Sequence, residues 1–533
     1  MKRWTLILAT AILATLALTG ALGAAEVTQE KLRQAQSDDA TWLMYGKNYS
    51  GWRYSELRQI NTTSVRQLAP QWIFQSGTLG KVEGTPLVFD RLMYATGPTN
   101  HAYGLDLATG RQMWHYSKPL PPGVSICCGQ VNRGFAALGN KLFKVNLESK
   151  LVALDSKTGN VLWETEIDDI KKGYSATVAP LIVKNLVVVG IAGAEYGIRG
   201  FIDAYDADTG KRAWRFWTVP GPGEAGSDTW GADAWKRGGG STWVTGTYDS
   251  ELNLIYWGTG NPGPDWNGDV RKGDNLYSDC LIALDPDTGV KKWHFQYTPH
   301  DVNDWDSTQT PMLADAMVQG QPRKMVVLAN RNGFYYALDR VNGKFIAGRP
   351  YVKQTWASGL DEAGRAMRLP KTDPSVEGTL LWPSLGGGSN WYSSTFSPKT
   401  GLYYVNAKEE GAIYHKGAAE YRAGALFNGG GQRDYKDEDP YGAVRALEVA
   451  TGKLSWEYKL HSPSHAGLMA TAGGLIFGSN ASSFFALDAQ KGDLLWRFET
   501  GGGIDANPIS YMSEGKQYVV IASGHALLVF ALD

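Results

Sequence analysis

Cysteine is nearly absent from this chain of 533 residues, which carries 3. That scarcity excludes a disulfide-stapled scaffold, and without a Cys-x-x-Cys-His run the chain attaches no covalent haem. Charge of one sign is lacking too. The 52 basic and 53 acidic residues give a net charge of −1, which provides no field for nucleic acid or another polyanion. Past the N-terminus no apolar run resembles a transmembrane helix, and no Pro-rich or Ser-rich linker divides the chain. Glycine (64), tryptophan (20) and aromatic residues overall (12%) are plentiful, as in a turn-rich globular chain with a large core.

The opening stretch MKRWTLILATAILATLALTGALGAAEVTQE sets Lys2 and Arg3 before an apolar run that ends in small residues. This is the layout of a secretory signal over residues 1–25, cleaved near Ala24 or Ala25. It sends residues 26–533 to an oxidising compartment, the periplasm. The competing reading is an uncleaved anchor, because the run is nearly long enough to span a bilayer.

One phrase recurs along the chain. It reads GLDLATGRQMW at 104–114, ALDSKTGNVLW at 153–163, AYDADTGKRAW at 204–214, ALDPDTGVKKW at 283–293, ALEVATGKLSW at 446–456 and ALDAQKGDLLW at 486–496. ALDRVNGKFIA at 337–347 lacks the tryptophan, and TYDSELNLIYW (247–257) and TFSPKTGLYYV (395–405) are weaker relatives. An apolar–x–Asp segment ends a strand, Thr-Gly makes a turn where glycine tolerates positive φ, and a second strand delivers the tryptophan. With β-rich runs before the copies, at spacings of about 40–50 residues, the pattern predicts propeller blades of about four strands in one domain. The copies alone leave the number of blades open at about seven to nine. The polar stretch 408–441 is expected to be an excursion on one face.

Four segments stand outside the repeat: CCGQVNRG (127–134), GIAGAEYGIRG (190–200), WGTGNPGP (257–264) and HDVNDWDSTQTP (300–311). Neighbouring Cα atoms lie about 3.8 Å apart, closer than the roughly 4.4–6.8 Å of ordinary disulfides. Cys127 and Cys128 are therefore either a strained ring valued for its shape or two small buried hydrophobes. Glu195, Asn261, Asp301, Asp304 and Asp306 supply hard oxygen donors, suited to a calcium-like cation and not to zinc. Taken singly, each is as well read as a turn former, and Glu195 as a partner of Arg199.

In this order the four segments resemble the pyrroloquinoline quinone (PQQ)-dependent alcohol dehydrogenases, the family of the methanol dehydrogenase large subunit. The likeness runs from WLMYGKNYSGWRYS at 42–55 to the last strand. It implies an all-β, eight-bladed β-propeller with tryptophan docking motifs. It also implies that Cys127 and Cys128 form a disulfide ring on one face of the quinone, with Trp243 on the other, so that a flat cofactor cannot tilt. Glu83, Arg133, Thr177, Ala192, Gly193, Ala194, Ser241, Arg331, Asn390 and Trp391 match further cofactor contacts, the arginines because their fork suits carboxylates.

The resemblance makes Glu195, Asn261 and Asp304 metal ligands, with Asp304 also the base that takes the alcohol's proton as hydride passes to the quinone. Arg331 would face the oxygen on which negative charge develops. Asp306 adds an anionic oxygen that favours a lanthanide ion, with Ca²⁺ as the alternative. His465 stands where methanol dehydrogenase has a tryptophan, Ala192 replaces a serine, His300 and Asp301 shape their loop, and Cys280 is a buried small residue. The implied reaction is oxidation of a small primary alcohol to an aldehyde, with electrons leaving to a soluble cytochrome c. Polyols, sugars or polymer hydroxyls are alternative substrates, and a homodimer is compatible with the resemblance. A non-catalytic propeller scaffold of the outer-membrane assembly type is the contrasting reading, but it needs neither the cysteine pair nor the oxygen cluster.

Overall fold

The computed structural model describes residues 26–124 and 126–533, so the expected signal segment lies outside the described residues. The recurring phrase folds the same way at each full copy. At 155–159, Asp155 Oδ1 accepts the Lys157 amide at 3.1 Å, the Thr158 amide at 2.9 Å and the Thr158 hydroxyl at 2.9 Å. The Gly159 amide closes the turn on the Asp155 carbonyl at 2.8 Å, with φ at 71°. Aspartate thus ends the third strand of a sheet, and glycine takes the left-handed residue that opens the fourth.

That glycine has a second duty. A Cβ at Gly159 would lie 2.6 Å from the Trp114 ring, and one at Gly289 would lie 2.6 Å from the Trp214 ring. The tryptophan of one copy therefore lies on the turn of the next sheet. It is anchored by its indole N–H, which Trp114 donates to the Ser156 carbonyl at 2.9 Å and Trp214 to the Pro286 carbonyl at 2.8 Å. Trp163 on Gly210, Trp293 on Gly343 and Trp456 on Gly492 repeat the contact.

Among the described residues there are seven four-stranded sheets and one of five strands, besides two smaller ones. Apart from one parallel pairing, Tyr54–Ser55 with Met469–Thr471, their strands run antiparallel. The third strands are buried, as in Lys150–Asp155, whereas fourth strands such as Val161–Glu166 alternate toward solvent. The last sheet joins both ends of the chain: Leu68–Gln75 pairs antiparallel with Ala526–Leu532, beside Lys516–Ser523 and Ile509–Ser513. The Trp496 indole donates to the Leu68 carbonyl at 3.1 Å, which carries the repeated contact across that junction.

Two weaker copies of the phrase sit elsewhere in their sheets. Residues 247–257 and 395–405 form first-to-second strand hairpins (Thr247–Asp249 with Leu254–Gly258, and Thr395–Ser397 with Leu402–Glu409), not third-to-fourth ones. Asp249 caps its turn as the other aspartates do, accepting the Glu251 and Leu252 amides at 2.8 and 3.0 Å, which explains the likeness. The 408–441 stretch leaves its sheet between the second and third strands. It forms Ala412–Lys416 and Gly430–Asp434, which pair in a three-stranded sheet with Thr379–Leu381. From there the Phe427 amide reaches the Glu195 carbonyl at 2.6 Å.

Trp214→Ala should destabilise the protein by about 3–5 kcal/mol in chemical denaturation, because it empties a buried seat and orphans the Pro286 carbonyl. Lys144 gives a pH test. It is fully buried above the Tyr116 ring, and burial lowers its pKa from 10.5 to about 7. Between those values the unfolded chain binds a proton that the folded protein refuses, so this group's contribution to stability falls as pH drops from 10.5 to 7. Lys144→Met should therefore gain on the wild type, by a few kcal/mol, as denaturation is repeated from high to neutral pH.

Candidate active site

Loops far apart in sequence enclose a cavity of 260 Å³. Glu83, Cys127, Cys128, Arg133, Thr177, Ala192, Gly193, Glu195, Ser241, Trp243, Asp304, Asp306, Arg331, Asn390 and Trp391 all line it. Ala194 and Asn261 do not, although both are buried among these residues. Val131, Ser175 and Leu385 complete the wall and were not singled out in the sequence. Val131 lies inside the CCGQVNRG segment, so its place was accessible to sequence reasoning; Leu385 carried no signal beyond the glycines that follow it. His465 is half-exposed and off the cavity wall, 4.0 Å from Asp505.

Cys127 and Cys128 are bonded to each other, which selects the ring over the reading as two free hydrophobes. Their sulfurs and the Glu195 carboxylate lie within 4.8 Å of one another. Oxidised sulfur is not a thiolate, so this trio is not a soft-metal centre. No other trio of histidine, cysteine or carboxylate donors among the described residues lies so close, so the Glu195, Asp304 and Asp306 carboxylates do not all stand within 4.8 Å of one another. Arg199 pairs with Glu224 at 2.9 Å, so Glu195 is not its partner.

The HDVNDWDSTQTP loop explains how two carboxylates reach one cavity. Asp301 accepts the Asn303 and Trp305 amides at 3.2 and 3.0 Å and so shapes the loop from within. Trp305 is fully buried, with its indole N–H on the Ser384 carbonyl at 3.1 Å. Pinned by that indole, the loop turns its flanking residues, Asp304 and Asp306, toward the cavity. Asp306 is held on both oxygens. Oδ1 accepts the Asn261 amide at 2.8 Å, and Oδ2 accepts Arg331 Nη1 at 2.7 Å and the Trp243 indole at 3.1 Å. Arg331 also donates to the Leu385 carbonyl at 2.7 Å and stands 3.9 Å from Asp304. A Cβ at Gly260 would lie 2.1 Å from Asp306 Oδ1, so only glycine fits there.

Across the cavity, Arg133 pairs with Glu83 at 2.8 Å and donates to the Thr177 hydroxyl at 2.6 Å. Its guanidinium lies 4.6 Å from the Trp243 ring and 5.1 Å from the Trp391 ring, within cation–π range of both. The Nε atoms of Arg133 and Arg331 are buried with no acceptor.

Burial dominates the electrostatics. It pushes Glu195 up to about 7, with Asp306 adding to the rise and Arg331 opposing it. Asp304 is raised well above the carboxylate range by burial, against Arg331. Asp265, four residues past Asn261 and outside the sequence-based expectations, is raised by burial and then by Glu195. Burial also works against the charge on Arg331, but Asp306 and Asp304 outweigh it and hold its pKa above the ordinary value. Such a set of buried carboxylates is short of positive charge, and hard oxygen donors suit a hard cation. The unpartnered arginine Nε atoms and the walls of indole and disulfide fit a flat, anionic molecule. The residues present therefore fit both groups.

An all-β fold whose cavity is walled by an indole, a disulfide, two arginines and buried carboxylates suits a bound cofactor, and comparison with known proteins gives the class. The family model for the PQQ glucose/ethanol/alcohol dehydrogenase β-propeller domain matches residues 42–354 and 458–519. The chain is 39% identical over 543 residues to the quinoprotein alcohol dehydrogenase PedH of Pseudomonas putida, covering 96% of this chain and 91% of the relative. It is 38% identical over 548 residues to the lanthanide-dependent methanol dehydrogenase of Methylacidiphilum fumariolicum, covering 96% and 89%. The solved structure of a europium-containing methanol dehydrogenase superposes with a TM-score of 0.89 at 35% identity, covering 94% of this chain and 100% of that one. The chain belongs to the PQQ-dependent alcohol dehydrogenase family and is an enzyme of that oxidoreductase class. The scaffold reading is set aside.

Gly260→Ala should preserve the folded ring but displace Asp306. Tryptophan-fluorescence titrations should show PQQ or La³⁺ binding weakened by about tenfold or more, while unchanged binding would contradict the packing described.

Proposed function

We propose that this enzyme is exported to the periplasm, oxidises small primary alcohols to aldehydes with a lanthanide ion beside PQQ, and passes electrons to a soluble cytochrome c. The observation that carries this reading is the pair Asp304 and Asp306 on one cavity wall, either side of buried Trp305 and both within reach of Arg331. When bound, PQQ supplies the hydride acceptor and the cation beside it a Lewis acid.

The chain's own residues do the rest. Cys127–Cys128 and Trp243 bound the flat slot, and Glu83, Arg133, Thr177, Ser241 and Asn390 hold its polar edge. Ala192, Gly193 and Ala194 present little side chain, so backbone can approach closely. Glu195, Asn261, Asp304 and Asp306 hold the cation, and the fourth donor, being anionic, suits a trivalent ion better than Ca²⁺. Asp304 takes the alcohol's hydroxyl proton on its carboxylate, and burial raises its proton affinity toward that of a useful base. Arg331 keeps its charge beside both aspartates. Leu385 and Trp391 add apolar wall to the cavity beside these polar groups.

The eight large sheets are read as eight blades, and the tryptophan-on-glycine contacts as their docking motifs. The bonded adjacent cysteines and the apolar start of the chain support export.

The test is dye-linked alcohol oxidation by protein loaded with PQQ and either La³⁺ or Ca²⁺. La³⁺ should give the faster enzyme, and Asp306→Ala should remove that advantage; equal rates with both ions, unaffected by the substitution, would reject the lanthanide. Asp304→Asn should still bind PQQ while turnover falls by about 10²–10⁴-fold, and normal turnover would reject the base.

A further inference from the structure

Asp265 is 1% exposed, and its carboxylate has no lysine or arginine within ion-pair distance among the described residues. Its neighbour Arg271 donates to the Asp265 backbone carbonyl at 3.2 Å and not to the side chain. One oxygen, Oδ1, accepts Asn261 Nδ2 at 2.7 Å. The other, Oδ2, is buried with no partner. After burial itself, Glu195 is the charged group that acts on this carboxylate most strongly; Arg271 opposes it from the backbone side, and Asp306 adds to it. A fully buried anion this poorly satisfied costs several kcal/mol unless positive charge comes near it.

The hydrogen bond to Asn261 has a directional consequence. An ionised carboxylate only accepts, and the structure sets the Asn261 amide with its nitrogen toward Asp265. The amide oxygen then points away from Asp265. Among the described residues no donor reaches it, while the Asn261 main-chain N–H is held by Asp306 at 2.8 Å. Asp265 therefore removes the usual freedom of an asparagine to present either end. It also adds a fourth buried carboxylate to Glu195, Asp304 and Asp306, against the guanidiniums of Arg331 and, behind Asp265, Arg271.

We propose that Asp265 is a positioning residue that turns the Asn261 oxygen toward the cation and sets the centre's preference for a trivalent over a divalent ion. The inference rests on the cation reading given above. Because Coulomb attraction scales with cation charge, losing one anionic charge costs a trivalent ion half as much again as a divalent one at the same distance. Residues that orient a metal ligand from behind typically change affinity by about 10–100-fold when replaced.

The test is isothermal titration calorimetry of the PQQ-loaded full chain with La³⁺ and, separately, Ca²⁺. In Asp265→Asn, La³⁺ affinity should fall more than Ca²⁺ affinity, reducing the ratio of the two by about tenfold or more. Asp265→Glu, which keeps the charge, should retain most of the wild-type ratio. A purely structural role would weaken both ions alike, and an unchanged ratio in Asp265→Asn would overturn the inference while leaving the cation reading intact. A wild-type protein that binds neither ion would overturn both. If Asp265→Asn does not accumulate as folded protein, Asp265→Ser, smaller and also uncharged, reads the same ratio with the same two outcomes.

Discussion

Antiparallel pairing of Leu68–Gln75 with Ala526–Leu532 is the contact on which the rest of this structure depends. It joins the two ends of the chain in one sheet, with Leu68–Gln75 as the outer strand. Side chains reinforce it: the buried Arg53 donates to the Pro508 carbonyl at 2.8 Å, and Asn507 bridges Tyr45 and Thr85 at 3.3 and 3.2 Å. Because the ring closes, loops that contribute Glu83 and Trp391 face the same cavity although hundreds of residues separate them. Such long-range pairing is slow to form but strongly specified once the tryptophan seats are filled.

The closed ring also explains how the centre tolerates its own electrostatics. Buried carboxylates repel one another and resent desolvation, so an isolated loop carrying them would open toward water. Here Trp305 pins one loop, Asp306 is tied to the Asn261 backbone and to Arg331, and Asn261 is tied to Asp265. Local interactions that disfavour the site are outweighed by packing elsewhere in the ring, which is where functional sites commonly depart from local consistency.

Much of this was legible in the sequence, for a physical reason. The Asp–Thr–Gly turn and its tryptophan recur because each copy solves the same local problem, so the third and fourth strands of most sheets could be read directly. First strands are short, such as Leu87–Phe89 and Ala136–Leu138. TYDSELNLIYW reads as a weaker copy although it lies on a first hairpin, because Asp249 caps that turn as the third-strand aspartates cap theirs. In the site, residues inside three of the four non-repeat segments (127–134, 190–200 and 300–311) line the cavity, whereas Asn261 of the fourth is buried behind its wall. Val131, Ser175 and Leu385 are ordinary residues whose role comes only from where the ring places them. Asp265 was passed over because an aspartate after Gly-Pro reads as a turn former, and only the packed structure shows that its Oδ2 has no partner.

The most direct test of the account is anomalous X-ray diffraction from crystals of the full chain grown with PQQ and a lanthanide. One strong anomalous peak should lie among Glu195, Asn261, Asp304 and Asp306, with planar density between Trp243 and the Cys127–Cys128 bridge. A lanthanide peak elsewhere on the protein, or planar density outside that slot, would contradict it.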